Sequence, residues 1–131
     1  MSEQSERPVI LVVDDEPLIT DLLRSALDDA GFSSVEASDA DEAFAILERD
    51  GAGLAGLVTD INLGAARSGW DIARRAREQN AAVAIVYCSG GNPQDWPVEG
   101  VPKSVMLTKP FAPAQVVVAL SNLINGALSG A

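Results

Sequence analysis

The chain has 131 residues, with 19 acidic side chains against 9 basic ones and no histidine, a formal net charge of -10. Such a polyanion is a poor ligand for the phosphate backbone of nucleic acid, and the length fits one domain with one core. A single cysteine, Cys88, excludes an internal disulfide and fits a reducing cytoplasm. The polar start MSEQSERP, with no apolar run near the roughly 20 residues that span a bilayer, leads us to expect a soluble cytoplasmic protein.

Val9 to Val13 is short and apolar on both parities, as a strand covered on both faces should be. The run then ends in LVVDDEP, three acids in a row. Adjacent carboxylates repel, and a strand that needed only to stop could do so with Gly or Asn, so the triplet points to a demand for negative charge. One acid would be enough to favour the positive start of the next helix, with Pro17 in its first turn.

Ile19, Leu22, Leu23, Ala26, Leu27 and Ala30 keep a 3.6-residue beat with Asp21, Arg24 and Asp28 opposite, and Gly31 stops that helix. Ser33 to Ala37 is a weaker, more polar strand suited to an edge. Ser38 with Asp41 resembles a capping box, after which Ala40, Ala43, Phe44 and Leu47 share a face until Gly51. Leu57 to Thr59 is the third strand and ends at Asp60. Ile72, Ala73 and Ala76 mark a third helix whose Arg74, Arg75 and Arg77 form a solvated face. Trp70 and Trp96 are assigned to partial core burial rather than to partner contacts.

Val83 to Cys88 is the fourth strand, followed by Ser89 and Gly90. Gly90, Gly91, Pro93, Pro97, Gly100 and Pro102 then leave room for little more than one helical turn, around Gln94 to Trp96. Val105 to Thr108 is the fifth strand, covered on both faces by its pattern and followed by Lys109 and Pro110. Val116, Val117, Leu120, Leu123, Ile124 and Ala127 mark the last helix.

This alternation predicts an α/β fold, a doubly wound five-stranded parallel sheet with helices on both faces. Ligands of such sheets sit outside the carboxyl ends of the strands. Asp14, Asp15, Asp60, Ser89 and Lys109 all fall at that rim. Carboxylates, a hydroxyl and an ammonium together suit a hard divalent cation, Mg²⁺ or its substitute Mn²⁺, beside a phosphoryl group.

VVDDE, LVTDINL, VYCSGG and LTKPF, in this order on these elements, resemble the receiver domain of two-component response regulators, over Val9 to about Ile124. SGWDIARRARE and KPFAPAQVVVALSNLI resemble stand-alone alphaproteobacterial receivers. The resemblance implies a flavodoxin-like strand order 2-1-3-4-5 with a short or degenerate fourth helix. It also implies a disordered tail over residues 1–7, the receiver over 8–126 and a C-terminal tail over 127–131.

By the same resemblance Asp60 is the phosphoacceptor, attacking a phosphohistidine of a histidine kinase or phosphotransfer protein. Asp15 and the Asn62 backbone carbonyl join Asp60 on Mg²⁺, and Asp14 acts through water. Lys109 pairs with the phosphoryl oxygens, Ser89 swings in to bond one of them, and the Lys109-Pro110 bond is cis. The chain is expected to be a single-domain phosphorelay protein that catalyses only its own phosphorylation and dephosphorylation. Output then runs through contacts with a protein target, phosphoryl shuttling or a phosphate sink.

Departures from the family pattern carry expectations too. Met106 stands where many receivers have an aromatic switch residue, so this switch should report less sharply. The loop INLGAARSGW lacks a common proline and is slightly long before Gly69. Asn62 and Gly91 flank the site at positions that tune hydrolysis, and favour an acyl phosphate lasting seconds to minutes. A haloacid dehalogenase-type phosphatase would want an acid where Asn62 stands, and an FMN-binding flavodoxin would be repelled by acids at its phosphate loop. An unphosphorylated adaptor would not need the whole acid, hydroxyl and lysine set.

Overall fold

Alternate residues of the first strand face opposite ways, and that parity divides the core. Leu11 and Val13 pack on one side of the sheet, Ile10 and Val12 on the other. The computed structural model describes residues 7–63, 68–90 and 100–128. Among them are β1 (Val9–Val13), α1 (Pro17–Asp29), β2 (Ser33–Ala37), α2 (Ala40–Asp50), a 3-10 turn (Gly51–Gly53) and β3 (Gly56–Asp60). Then come α3 (Gly69–Gln79), β4 (Ala84–Ser89), β5 (Ser104–Thr108) and α4 (Pro113–Leu128).

All strand pairs are parallel, and the order is β2-β1-β3-β4-β5, as expected. Ala43, Leu47, Ile72 and Ala76 cover one face from α2 and α3; Leu23, Leu27, Val116 and Leu120 cover the other from α1 and α4. The central strands β1 and β3 are buried almost throughout, which explains the unbroken apolar run VILVV of β1 and the adjacent Leu57 and Val58 of β3. β5 departs from its pattern: Val105, Met106 and Leu107 are only half-buried, because it forms the sheet edge opposite β2.

Local sequence sets the helix ends. Pro17 opens α1, where its missing N–H is no loss. Gly31 follows that helix with φ +95, a left-handed value that suits glycine. The cap of α2 falls one residue later than the expected Ser38 and Asp41 pair: Asp39 accepts from the Glu42 N–H at 2.8 Å, and the Glu42 carboxylate accepts from the Ser38 N–H at 2.7 Å. Asp39 has the extended backbone and short carboxylate that reach the free amide. At α3, the Asp71 carboxylate accepts from the Ser68 N–H at 2.9 Å.

Trp70 is buried and meets Tyr87 edge to face at 4.6 Å between ring centroids. Arg74 and Arg75 are exposed as expected. Arg77 is not: it is half-buried, and its Nη1 donates to the Pro102 carbonyl at 2.7 Å. No helix among the described residues is long and apolar enough to cross a membrane. Of the expected tail over residues 1–7, Arg7 is held, its Nη1 donating to Asp28 Oδ1 at 2.9 Å and its Nη2 to the Asp28 carbonyl at 2.7 Å, and the first two residues of the expected tail over 127–131 belong to α4. Residues 1–6, loop residues 64–67, Gly91, the turn around Gln94 to Trp96 and residues 129–131 lie outside the described residues.

Candidate functional site

Because every strand runs the same way, each delivers its carboxyl end to one rim. β1 is followed there by Asp14 and Asp15, β3 ends in Asp60, β4 ends in Ser89, and β5 is followed by Lys109. One carboxylate oxygen from each of Asp14, Asp15 and Asp60 lies within 4.8 Å of the others. Asp14 and Asp60 are buried, whereas Asp15 is exposed.

Three carboxylates at this spacing repel one another. Lys109 offsets part of that repulsion, with Nζ 3.1 Å from Asp14 Oδ2 and 3.2 Å from Asp60 Oδ2. Glu16 Oε1 stands 3.5 Å from the same nitrogen, so this residue, readable in sequence as a helix-start acid, also joins the rim. Burial pulls the Lys109 ammonium down, but its bond to Asp14 and the charges of Asp60 and Asp14 outweigh that and hold it above its ordinary range. Burial raises Asp14 above the usual carboxylate value, despite the Glu16 N–H and Lys109 drawing it down. The lysine alone therefore leaves Asp14 under-compensated.

Backbone bonds fix the acids. Asp14 Oδ1 accepts from the Glu16 N–H at 2.9 Å, and Asp60 Oδ1 accepts from the Asn62 N–H at 3.2 Å. Ser89 is fully buried, and its carbonyl accepts from the Lys109 N–H at 2.7 Å, tying the end of β4 to the lysine. The Lys109-Pro110 peptide bond is cis. Met106 is half-buried on β5, packed against the core face that holds Tyr87 and paired in register with it. The donor set consists of hard oxygens, in a chain without histidine, and fits Mg²⁺ better than a softer ion.

Two residues near the site carry little signal in sequence. A Cβ on Gly69 would stand 2.3 Å from the Asp60 carbonyl oxygen, so only glycine lets α3 begin this close to the acid. Tyr87 is fully buried two residues before Ser89. Its one clue is an aromatic ring on β4 where position 106 has none.

The fold and rim define an α/β protein suited to a hard cation and a phosphoryl group. The response regulator receiver domain family matches residues 10–121, and the chain belongs to that family. Receivers are signalling domains of two-component systems and generally interact with histidine kinases or phosphotransfer proteins. The aerobic respiration control protein ArcA of Escherichia coli is 31% identical over 122 residues, 92% of this chain and 50% of that protein. The chain thus spans about half the length of the curated relatives it matches.

Among solved structures, a response regulator receiver protein from Sinorhizobium medicae is 40% identical with TM-score 0.87, covering 92% of this chain and 97% of that one. The chemotaxis response regulator CheY4 of Vibrio cholerae, 23% identical with TM-score 0.75 over 89% of this chain and 98% of its own, shares the fold.

Proposed function

We propose that this chain is a cytoplasmic response regulator receiver, spanning residues 8–126, that takes a phosphoryl group from a histidine kinase or phosphotransfer protein onto Asp60. The observation that carries this reading is one ammonium, Lys109, shared by Asp14 and Asp60 with Asp15 at the same rim. Asp60 Oδ attacks the phosphorus of a phosphoimidazole; the P–O bond forms as the P–N bond breaks, and the electron pair leaves on the imidazole nitrogen. Lys109 then trades part of its carboxylate pairing for the phosphoryl oxygens. Ser89, at the end of β4, supplies a hydroxyl to one of them, and Met106 takes the switch position on β5.

Asp15, Asp60 and the Asn62 carbonyl would hold Mg²⁺ or Mn²⁺, with Asp14 acting through water. Asp14 suits that outer role, since Oδ1 already accepts from the Glu16 N–H and Oδ2 faces Lys109. When bound, the ion supplies positive charge that lets an anionic phosphoryl group approach an anionic rim. Signalling then runs through protein contacts or phosphoryl shuttling.

The test is incubation with Mg²⁺ and a small phosphodonor, followed by intact mass. The parent gains one phosphoryl group and Asp60→Asn gains none; equal labelling of both would place the nucleophile elsewhere. Asn62 beside the acid favours a label that decays in seconds to minutes, and label persisting overnight would overturn that reading.

A further inference from the structure

A strained turn leads into β5. Lys103 has φ +58, a left-handed conformation that side-chain-bearing residues hold only where their surroundings over-determine it. Here three hydrogen bonds do so. The Val101 N–H donates to the Tyr87 hydroxyl at 3.1 Å, Arg77 Nη1 donates to the Pro102 carbonyl at 2.7 Å, and the Ser104 hydroxyl donates to the Val101 carbonyl at 2.6 Å. Elements β4, α3 and β5 thus clamp one turn between them.

The clamp reaches the acidic rim by two routes. Tyr87 lies two residues before Ser89 on the same strand. Its ring also meets Trp70, the residue after Gly69, and Gly69 sits directly against the Asp60 carbonyl. A displacement of either the β4 end or the start of α3 therefore moves the ring that carries the hydroxyl. Opposite that ring in register stands Met106, so the aromatic group beside this site belongs to β4 and is anchored through oxygen.

We infer that the bond between Tyr87 and Val101 is a two-position latch, closed in this arrangement and released when the Asp60 site takes a phosphoryl group, so that residues 101–104 report the state of the site. This rests on the phosphoacceptor reading. Strain at Lys103 opposes the closed position and the three bonds favour it, which keeps the two positions close in free energy, as a switch requires.

The test uses the full chain, with Mg²⁺ and beryllofluoride as the phosphoryl mimic, bound fluorine read by NMR and amide hydrogen exchange read at Val101. In the parent, beryllofluoride speeds Val101 exchange by about fivefold or more, the factor one ordinary hydrogen bond is worth. Tyr87→Phe keeps the ring, shows fast exchange without the mimic, and responds little further. Lys103→Gly relieves the strain, slows basal exchange and damps the response. Bound fluorine with unchanged Val101 exchange in the parent, or a full response in Tyr87→Phe, overturns the latch alone. Absence of bound fluorine in the parent overturns the phosphoacceptor reading with it.

Discussion

Lys109 Nζ lies 3.2 Å from Asp60 Oδ2, across 49 positions of sequence, and 3.1 Å from Asp14 Oδ2 on the other side. One cation thus holds two buried carboxylates that would otherwise face each other uncompensated.

Lys109→Ala removes that cation and strands the pair. A fully buried charge left unpaired costs about 3–5 kcal/mol. The Lys109 side chain is 18% exposed, so the expected loss is smaller, about 1–3 kcal/mol. Urea unfolding should show it, and Mg²⁺ should restore part of the difference by supplying the missing charge. An equal loss with and without Mg²⁺ would mean that the ion does not sit among these acids.

Asp14 predicts the pH dependence. Its folded pKa lies above the ordinary 3.8, chiefly through burial. A raised carboxyl binds its proton more readily in the folded chain than in the unfolded one, so its effect on stability turns unfavourable as pH rises through the window above 3.8. At neutral pH the penalty is fully present. Because the net shift already counts the help of Lys109, neutralising the acid should relieve more than it loses. Asp14→Asn should therefore melt higher than the parent at neutral pH without Mg²⁺, with the advantage shrinking in acid. A lower melting temperature at neutral pH would refute this.

Gly69 and Gly56 give a paired prediction. A Cβ at Gly69 meets backbone, the Asp60 carbonyl oxygen at 2.3 Å and the Ile61 Cα at 2.9 Å. At Gly56 it meets the far ends of side chains, Ile10 Cδ1 at 2.9 Å and Leu120 Cδ2 at 3.0 Å. Side-chain ends give way and backbone does not, so Gly69→Ala should cost at least about 2 kcal/mol and Gly56→Ala less, within the range of overpacked cores. Only Gly69→Ala should also weaken beryllofluoride binding. Denaturant midpoints and the fluorine signal would separate them.

Much of this was readable from residue order, for physical reasons. Parallel strands buried on both faces are largely apolar, so VILVV in β1, Leu57 and Val58 in β3 and AIVYC in β4 stand out, and the polar residue that ends or follows each lies at the rim. The acids, Ser89 and Lys109 could be read together on that ground. What stayed hidden depends on packing between distant segments: Gly69 against Asp60, Trp70 on Tyr87, Arg77 beneath Pro102. The half-open β5 was misread because its composition matches the central strands while its place at the edge does not. The one-residue offset at the α2 cap arises because Ser38, Asp39 and Asp41 are all plausible cap-forming types, and only backbone geometry selects Asp39.

Cys88 offers a chemical test of the same core. It pairs in register with Asp60 and belongs to the buried cluster of Val86, Val116 and Leu120 on the face covered by α1 and α4. Burial pushes its thiol from 9.0 up to about 12. At neutral pH that cuts the reactive thiolate by about a thousandfold, one factor of ten per unit. A disulfide reagent should therefore label the native chain at least about a thousandfold more slowly than the urea-unfolded chain. Native labelling at the unfolded rate would mean that the α1 and α4 side of the sheet is not packed as described.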